Sequence, residues 1–240
     1  MDIIAIIPAR SGSKGVVNKN IKLLNSHPLI AYSIKAALKA ESIKRVILST
    51  DSIEYAEIGK NYGVDVPFIR PSVFAGDKSG DIDVVNHALT WILEHEKKIP
   101  DAVAYLRPST PLRNPEIIDS AVKMFISQFN DITSLRSMHE MSESAYKTCE
   151  IIDGFIKHVG GSCDADAGNL PRQNFPKTYQ PNGYIDIVKT DYILNAKRLF
   201  GDKSIAFITE HTSEIDSIED FDYIEFQIQK KREIYKELFK

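Results

Sequence analysis

Cysteine is scarce in this 240-residue chain: Cys149 and Cys163 are the only two, and they form no CxxC and no zinc-ligand spacing. That speaks against a disulfide scaffold and a thiolate metal site, and both are read as free thiols of a reducing compartment. Long apolar runs are missing too. Nothing approaches the roughly 20 residues that span a bilayer, so no membrane partner is expected. There is no excess of positive charge: 30 basic against 33 acidic residues give a net charge of −3. A whole-protein field that would draw nucleic acid is therefore excluded, although a local basic site is not. Neither GxGxxG nor GxxxxGK[ST] occurs, which disfavours a dinucleotide oxidoreductase and a P-loop kinase. Internal repeats and low-complexity tracts are lacking. The first residues, Asp2 and then Ile3 to Ile7, read as a strand and not as a secretory leader. The expected location is the cytoplasm.

What is present is an ordinary globular composition, 43% hydrophobic and 26% charged, enough for one core with a small appended lobe. Buried strands are predicted at 3–8, within RVILSTD (45–51), within GVDVPFI (63–69) and at 102–107. Helices are predicted between them. Ile30, Ile34 and Leu38 lie four apart after Pro28, which suits a first turn. Asp51 and Glu54 have the spacing of a capping box. A helix near 81–95 buries Val85, Ala88, Leu89 and Ile92, and Asn114-Pro115 opens another that carries Ile118, Ala121 and Phe125. This alternation predicts an α/β fold with a mostly parallel sheet. After about residue 132 the rhythm breaks. YKTCEIIDGFIKHV reads as a hairpin turning at Asp153-Gly154, and a long Gly- and Asp-rich stretch follows it. Strands return at YIDIV and SIAFIT, and one final helix is predicted over 218–238. The six histidines form no cluster and are expected in loops or at the surface.

Parallel sheets place ligands at the carboxyl ends of their strands. The first such end is IIPARSGSKG, where Gly12 and Gly15 let the backbone approach a ligand and Arg10, Lys14 and Lys19 bring three positive charges. The stretch reads either as a polyphosphate loop or as a flexible solvated one. LRPSTPLRNP places Arg107 and Arg113 at a second end, held by prolines for anion recognition or forming a structural turn. IRPSVFAGD adds Arg70 at a third. Three basic strand ends favour an anionic substrate. Near the carboxyl terminus, TSEIDSIEDFD supplies Glu214 and Asp216, which in extended chain point to one side and suit Mg²⁺ together with phosphate oxygens. Acidic capping of the last helix by Glu219 or Asp220 is the other reading.

IIPARSGSKGVVNKNI, RPSVFAGD, LRPSTPLR, PRQNFPKTYQPNG and EIDSIED, in this order, resemble the motifs of the CMP-sialic acid synthetase family, the acylneuraminate cytidylyltransferases. The resemblance runs from residue 3 to about 222. It implies a three-layer nucleotidyltransferase fold, one domain over 1–240, with a small insertion around 138–180 that crosses over in a homodimer. It implies transfer of CMP from CTP to a nine-carbon 2-keto sugar acid, with Mg²⁺ as cofactor and pyrophosphate released. Carried over by motif, Arg10, Ser11, Gly12, Lys14, Lys19 and Asn20 face the CTP phosphates, with Arg10, Lys14, Lys19 and Asp216 in catalytic roles. Arg70 and Asp81 lie near the cytidine; Arg107, Lys147, Arg172 and Asp186 serve the sugar acid; Asp216 and Glu214 take the metal.

Three positions depart from the sialic acid enzymes: Arg107 stands for Gln, Asp186 for Tyr and Glu214 for Asp. An Arg that can fork a carboxylate and an Asp that can accept from an amide or hydroxyl point away from N-acetylneuraminate. The expected acceptor is N,N'-diacetyllegionaminic acid, as in a bacterial CMP-legionaminic acid synthetase. CMP-N-acetylneuraminate, CMP-pseudaminate and Kdo synthesis, sugar-1-phosphate chemistry and a noncatalytic nucleotide-binding module are the alternatives.

Overall fold

The computed structural model describes residues 1–77, 79–159, 161, 165–230 and 232–239. The described strands are β1 Ile3–Pro8, β2 Leu23–Leu24, β3 His27–Pro28, β4 Arg45–Ser49, β5 Ala102–Tyr105, β6 Ser134–Glu140, β7 Cys149–Ile152, β8 Phe155–His158, β9 Tyr179–Lys189 and β10 Ser204–Ile208. The helices are α1 Leu29–Lys39, α2 Ile53–Asn61, α3 Asp81–Glu96, α4 Pro115–Ser127, α5 Thr190–Ala196, α6 Ile218–Lys230 and α7 Arg232–Phe239. Six strands form the central sheet in the order β10-β6-β9-β5-β1-β4. β1 pairs in parallel with both β4 and β5, and β10 with β6; β9 runs antiparallel to β5 and β6. The expected α/β fold with a mostly parallel sheet is what forms.

Strand alternation builds three layers. Ile3, Ala5 and Ile7 of β1 enter one apolar core with residues of α1, α4 and α6, whereas Ile4 and Ile6 enter another with residues of α3 and α5. β5 divides likewise, Ala102 and Ala104 to the first core, Val103 and Tyr105 to the second. A continuous apolar strand is thus the mark of burial on both faces.

Four expectations change. GVDVPFI forms no strand; it runs beside β4 through one bridge, Ile47 to Asp65, and Pro67 has no N–H with which to extend a ladder. Asp51 does not cap α2. Ser52 does, accepting from the Tyr55 amide at 3.3 Å, which leaves the Asp51 carboxylate for another partner. The last helix is two segments, α6 and α7, and Phe239 of α7 stacks on His27 at 3.8 Å. His139 and His158 are buried, not surface residues.

The excursion between β6 and β9 leaves and re-enters the sheet where the Met141 amide donates to Thr178. Within it, β7 and β8 pair as the expected hairpin, with Asp153 (φ 52°) and Gly154 (φ 81°) at the turn. The hairpin exposes apolar residues on both faces, the Ile151–Ile156 pair on one and the Ile152–Phe155 pair on the other. Cys149 is a free exposed thiol; Cys163 lies outside the described residues.

Candidate active site

The carboxyl ends of β4, β1 and β5 lie side by side, so the loops that follow them share one edge. There they enclose a cavity of about 380 Å³. The N-terminal loop lines it with Arg10, Lys14, Lys19 and Asn20, the segment between α2 and α3 with Arg70 and Asp77, the start of α3 with Asp81, and the β5 end with Tyr105 and Arg107. Asp216 closes it from the other half of the chain.

The loop and Asp216 are packed together. Lys19 Nζ donates to the Ile215 carbonyl at 2.7 Å and lies 3.2 Å from Asp216 Oδ1. Ile215 is itself tied to the β5 loop, its amide 2.8 Å from the Ser109 carbonyl. Gly15 has a close-approach role: a Cβ there would come within 2.5 Å of the Asp216 carbonyl oxygen. Asn20 Nδ2 donates back to the Arg10 carbonyl at 3.0 Å and closes the loop on itself. Ser11 and Gly12 do not line the cavity. Ser11 turns to Asp51, and Gly12 makes the turn at φ 68°.

Charge is balanced locally. Asp77 holds Arg10 at 3.3 Å and Lys14 at 2.6 Å; the hydrogen bond from Lys14 and the two positive charges keep its carboxyl below the usual range. Arg70 is buried, its Nε has no partner among the described residues, and burial pulls its pKa down. Deeper in, Arg107 bridges two carboxylates, Asp81 and Asp186, each at 2.6 Å. Burial opposes the Arg107 charge, but the two acids outweigh it and push its pKa up. Tyr105 donates to Asp81 at 2.9 Å, and Arg136 Nε approaches Asp186 at 3.4 Å. Asp186 is buried beneath Arg107, so it acts on the cavity through that guanidinium.

Arg113 is not an anion-binding residue. It is fully buried and donates to the carbonyls of Tyr184, Thr110, Arg107 and Gly183 and to Ser33 Oγ, so it holds the loop after β5. Burial brings its pKa down to about 9, which leaves it a cation at neutral pH.

Asp216 also lines a second cavity of about 370 Å³, with Glu214, His139, Asn182 and His211. Burial, and then the charge of Asp216, push the Glu214 carboxyl up. Two carboxylates that repel each other, one of them widely exposed beside a basic loop, suit Mg²⁺, which takes one or two carboxylates plus phosphate oxygens. Among the described residues no group of three or more His, Cys, Asp or Glu is set to hold a metal by itself. Lys147 and Arg172 are not brought to either cavity. Lys147 pairs with Glu143 at 3.2 Å, and Arg172 lines a separate cavity of about 460 Å³ in the excursion, 3.0 Å from Glu140.

Sequence reading missed Asp51, Asp77, Tyr105 and Arg136. Asp51 stands at a strand's carboxyl end, a signal outweighed by its capping-box spacing; the others become visible only through their partners.

The model of a cytidylyltransferase family matches residues 4–240. The chain belongs to the cytidylyltransferase family. Among curated relatives, an N-acylneuraminate cytidylyltransferase of Escherichia coli O18:K1:H7 is 34% identical over 96% of this chain, which spans only 52% of that protein. The chain thus covers about half of that relative. A CMP-N,N'-diacetyllegionaminic acid synthase of Campylobacter jejuni is also 34% identical, over 96% of both chains. The structure of CMP:2-keto-3-deoxy-manno-octonic acid synthetase complexed with CTP matches with a TM-score of 0.72 at 14% identity, covering 96% of this chain and 100% of that one. At that identity the likeness speaks for this cytidylyltransferase's fold alone. No helix among the described residues is long and apolar enough to cross a membrane.

Proposed function

We propose that this cytidylyltransferase joins CMP from CTP to a nonulosonic acid, N,N'-diacetyllegionaminic acid, and releases pyrophosphate. The observation that carries the reading is the loop of Arg10, Lys14 and Lys19 closed against Asp216 over a cavity at the strand ends. Relatives named for legionaminic acid support the acceptor, as does Arg107 in place of the Gln of the sialic acid enzymes.

In this reading the oxygen of the acceptor C2 hydroxyl attacks the α-phosphorus of CTP. A new P–O bond forms, the bond to the bridging oxygen breaks, the hydroxyl proton passes to solvent water and pyrophosphate leaves on the opposite side. Such transfers depend on positioning and charge neutralisation. Arg10 and Lys14 exchange Asp77 for the triphosphate. Lys19 faces both phosphate and Asp216. Asn20 keeps the loop closed. Arg70 and Asp81 border the cytidine end, and Arg107 presents its charge to the acceptor carboxylate. Asp216 and Glu214 would hold Mg²⁺, which when bound would neutralise phosphate charge.

Lys147 and Arg172 line neither cavity of their own chain and would serve the acceptor of a neighbouring subunit, and the exposed apolar residues of the hairpin, Ile151, Ile152, Phe155 and Ile156, support a homodimer. Sedimentation giving a monomer at micromolar concentration would sink that part. The reaction is tested by pyrophosphate release from CTP and Mg²⁺ with purified legionaminic, pseudaminic and N-acetylneuraminic acids, each product weighed by mass spectrometry. A clear preference for N-acetylneuraminate overturns the acceptor; no release with any acid, from folded protein, overturns the function.

A further inference from the structure

We infer that Asp51 is the positioning residue of the nucleotide loop: its carboxylate, at the carboxyl end of β4, sets the backbone at Ser11 so that the loop meets a polyphosphate already shaped. This rests on the proposed use of CTP. Asp51 Oδ1 accepts from the Ser11 amide at 2.8 Å and Oδ2 from the Ser11 hydroxyl at 2.7 Å, across 40 residues of sequence. Both oxygens face one residue, and Asp51 has no ion pair among the described residues. Helix capping does not explain this contact, because Ser52 caps α2. The clamp immediately precedes Gly12, where the chain takes φ 68°. That conformation has few competitors once the preceding residue is held at both its amide and its hydroxyl.

A second hold comes from the same crossover. Tyr55 of α2 donates to Asn18 Oδ1 at 3.3 Å, where the chain is again left-handed at φ 53°. The Ala9 amide meets the Ser49 carbonyl at 2.9 Å, continuing the register of β1 on β4 up to the clamp. Between the two holds the Lys14 side chain is 76% exposed, while Val16 is buried and Gly15 packs against the Asp216 carbonyl. The loop is therefore held at its flanks and at Gly15-Val16, with Lys14 presented at the cavity. Ordering it on binding would otherwise cost affinity. A cation-binding role for Asp51 is not needed to explain any of these contacts.

The test compares wild type with Asp51→Ala, Asp51→Asn, Ser11→Ala and the Asp51→Ala/Ser11→Ala double variant. CTP binding is measured by calorimetry without acceptor, alongside steady-state kinetics and thermal melting. Asp51→Ala is expected to weaken CTP binding by about ten-fold, the scale of a lost hydrogen-bond pair to a charged group, and to leave the acceptor KM unchanged. Ser11→Ala, which keeps the amide bond, should lose less. The double variant should be no worse than Asp51→Ala, because the two residues act as one unit. Asp51→Asn, which still accepts from the amide, should recover part of the loss. Wild-type CTP affinity in folded Asp51→Ala overturns the inference, as do fully additive losses or a fall in melting temperature with both KM values rising together. If Asp51→Ala does not fold, unchanged CTP binding in both Ser11→Ala and Asp51→Asn overturns it. A wild-type protein that binds no CTP would instead overturn the proposed function, a result read before any variant is compared.

Discussion

The Lys19 ammonium touches a main-chain carbonyl, a carboxylate and the cavity at once, so its loss separates chemistry from folding. Lys19→Ala should keep the fold, because the side chain belongs to neither apolar core, and should lower kcat by about 10²-fold, the scale of one preorganised donor at a charged transition state. Unchanged turnover by pyrophosphate assay would remove Lys19 from the mechanism. At the same scale, Arg10, Lys14, Lys19 and Arg107 were legible in sequence, since each follows a strand; Arg70 follows a run that forms no strand, and Asp81 came from the family resemblance alone. Arg113 was not. Its position matches that of a ligand-binding arginine, and only burial among four carbonyls and a hydroxyl shows that its partners are the protein's own. The surroundings of Asp186 are similar, because its neighbours Arg107 and Arg136 come from the loop after β5 and from β6.

Elements bring these residues together, and two of them can be tested as elements. The turn between β5 and α4 is organised by Arg113. Arg113→Met should destabilise by more than about 3 kcal/mol in urea unfolding, because several buried carbonyls lose their donor; a loss under about 1 kcal/mol would show the turn to be self-supporting. The excursion is tethered at Glu140, which pairs with Lys177 at 2.8 Å and Arg172 at 3.0 Å. The hydrogen bond from Lys177 leads in holding the Glu140 carboxyl below its ordinary value. A carboxyl lowered by folding stabilises above its unfolded value and stops doing so as pH falls through the folded one. The tether should therefore be intact at neutral pH and weaken progressively as pH falls below the ordinary carboxyl range. Hydrogen-exchange protection across 141–178, corrected for the intrinsic pH dependence of amide exchange, should fall there in wild type but not in Glu140→Gln, and equal responses would exclude the tether. The β7–β8 hairpin was legible from Asp153-Gly154, a turn signal complete within four residues. The strand expected at 63–69 shrinks to one bridge, Ile47 to Asp65, because Pro67, present in the run itself, ends the ladder that its apolar residues suggested.

Across the whole molecule, the central sheet separates two cores, Ile224 in one and Leu89 in the other. Ile224→Ala and Leu89→Ala should each cost about 2–5 kcal/mol. With no shared partners across the sheet, their sum should match the double variant within about 0.5 kcal/mol. Marked non-additivity in denaturant titrations would mean that the layers are coupled through the strands. The sequence by itself determined the α/β class, the buried strands, the basic strand ends and the order of the motifs, because periodicity, turn chemistry and charge are local properties of a chain. The tertiary structure alone decided that Lys19 meets Asp216 across nearly the whole chain, that Asp51 clamps Ser11 rather than capping a helix, and that Arg113 is structural. Those pairings depend on strand order and on which surfaces are left in contact when the sheet closes, and no local window of residues contains that information.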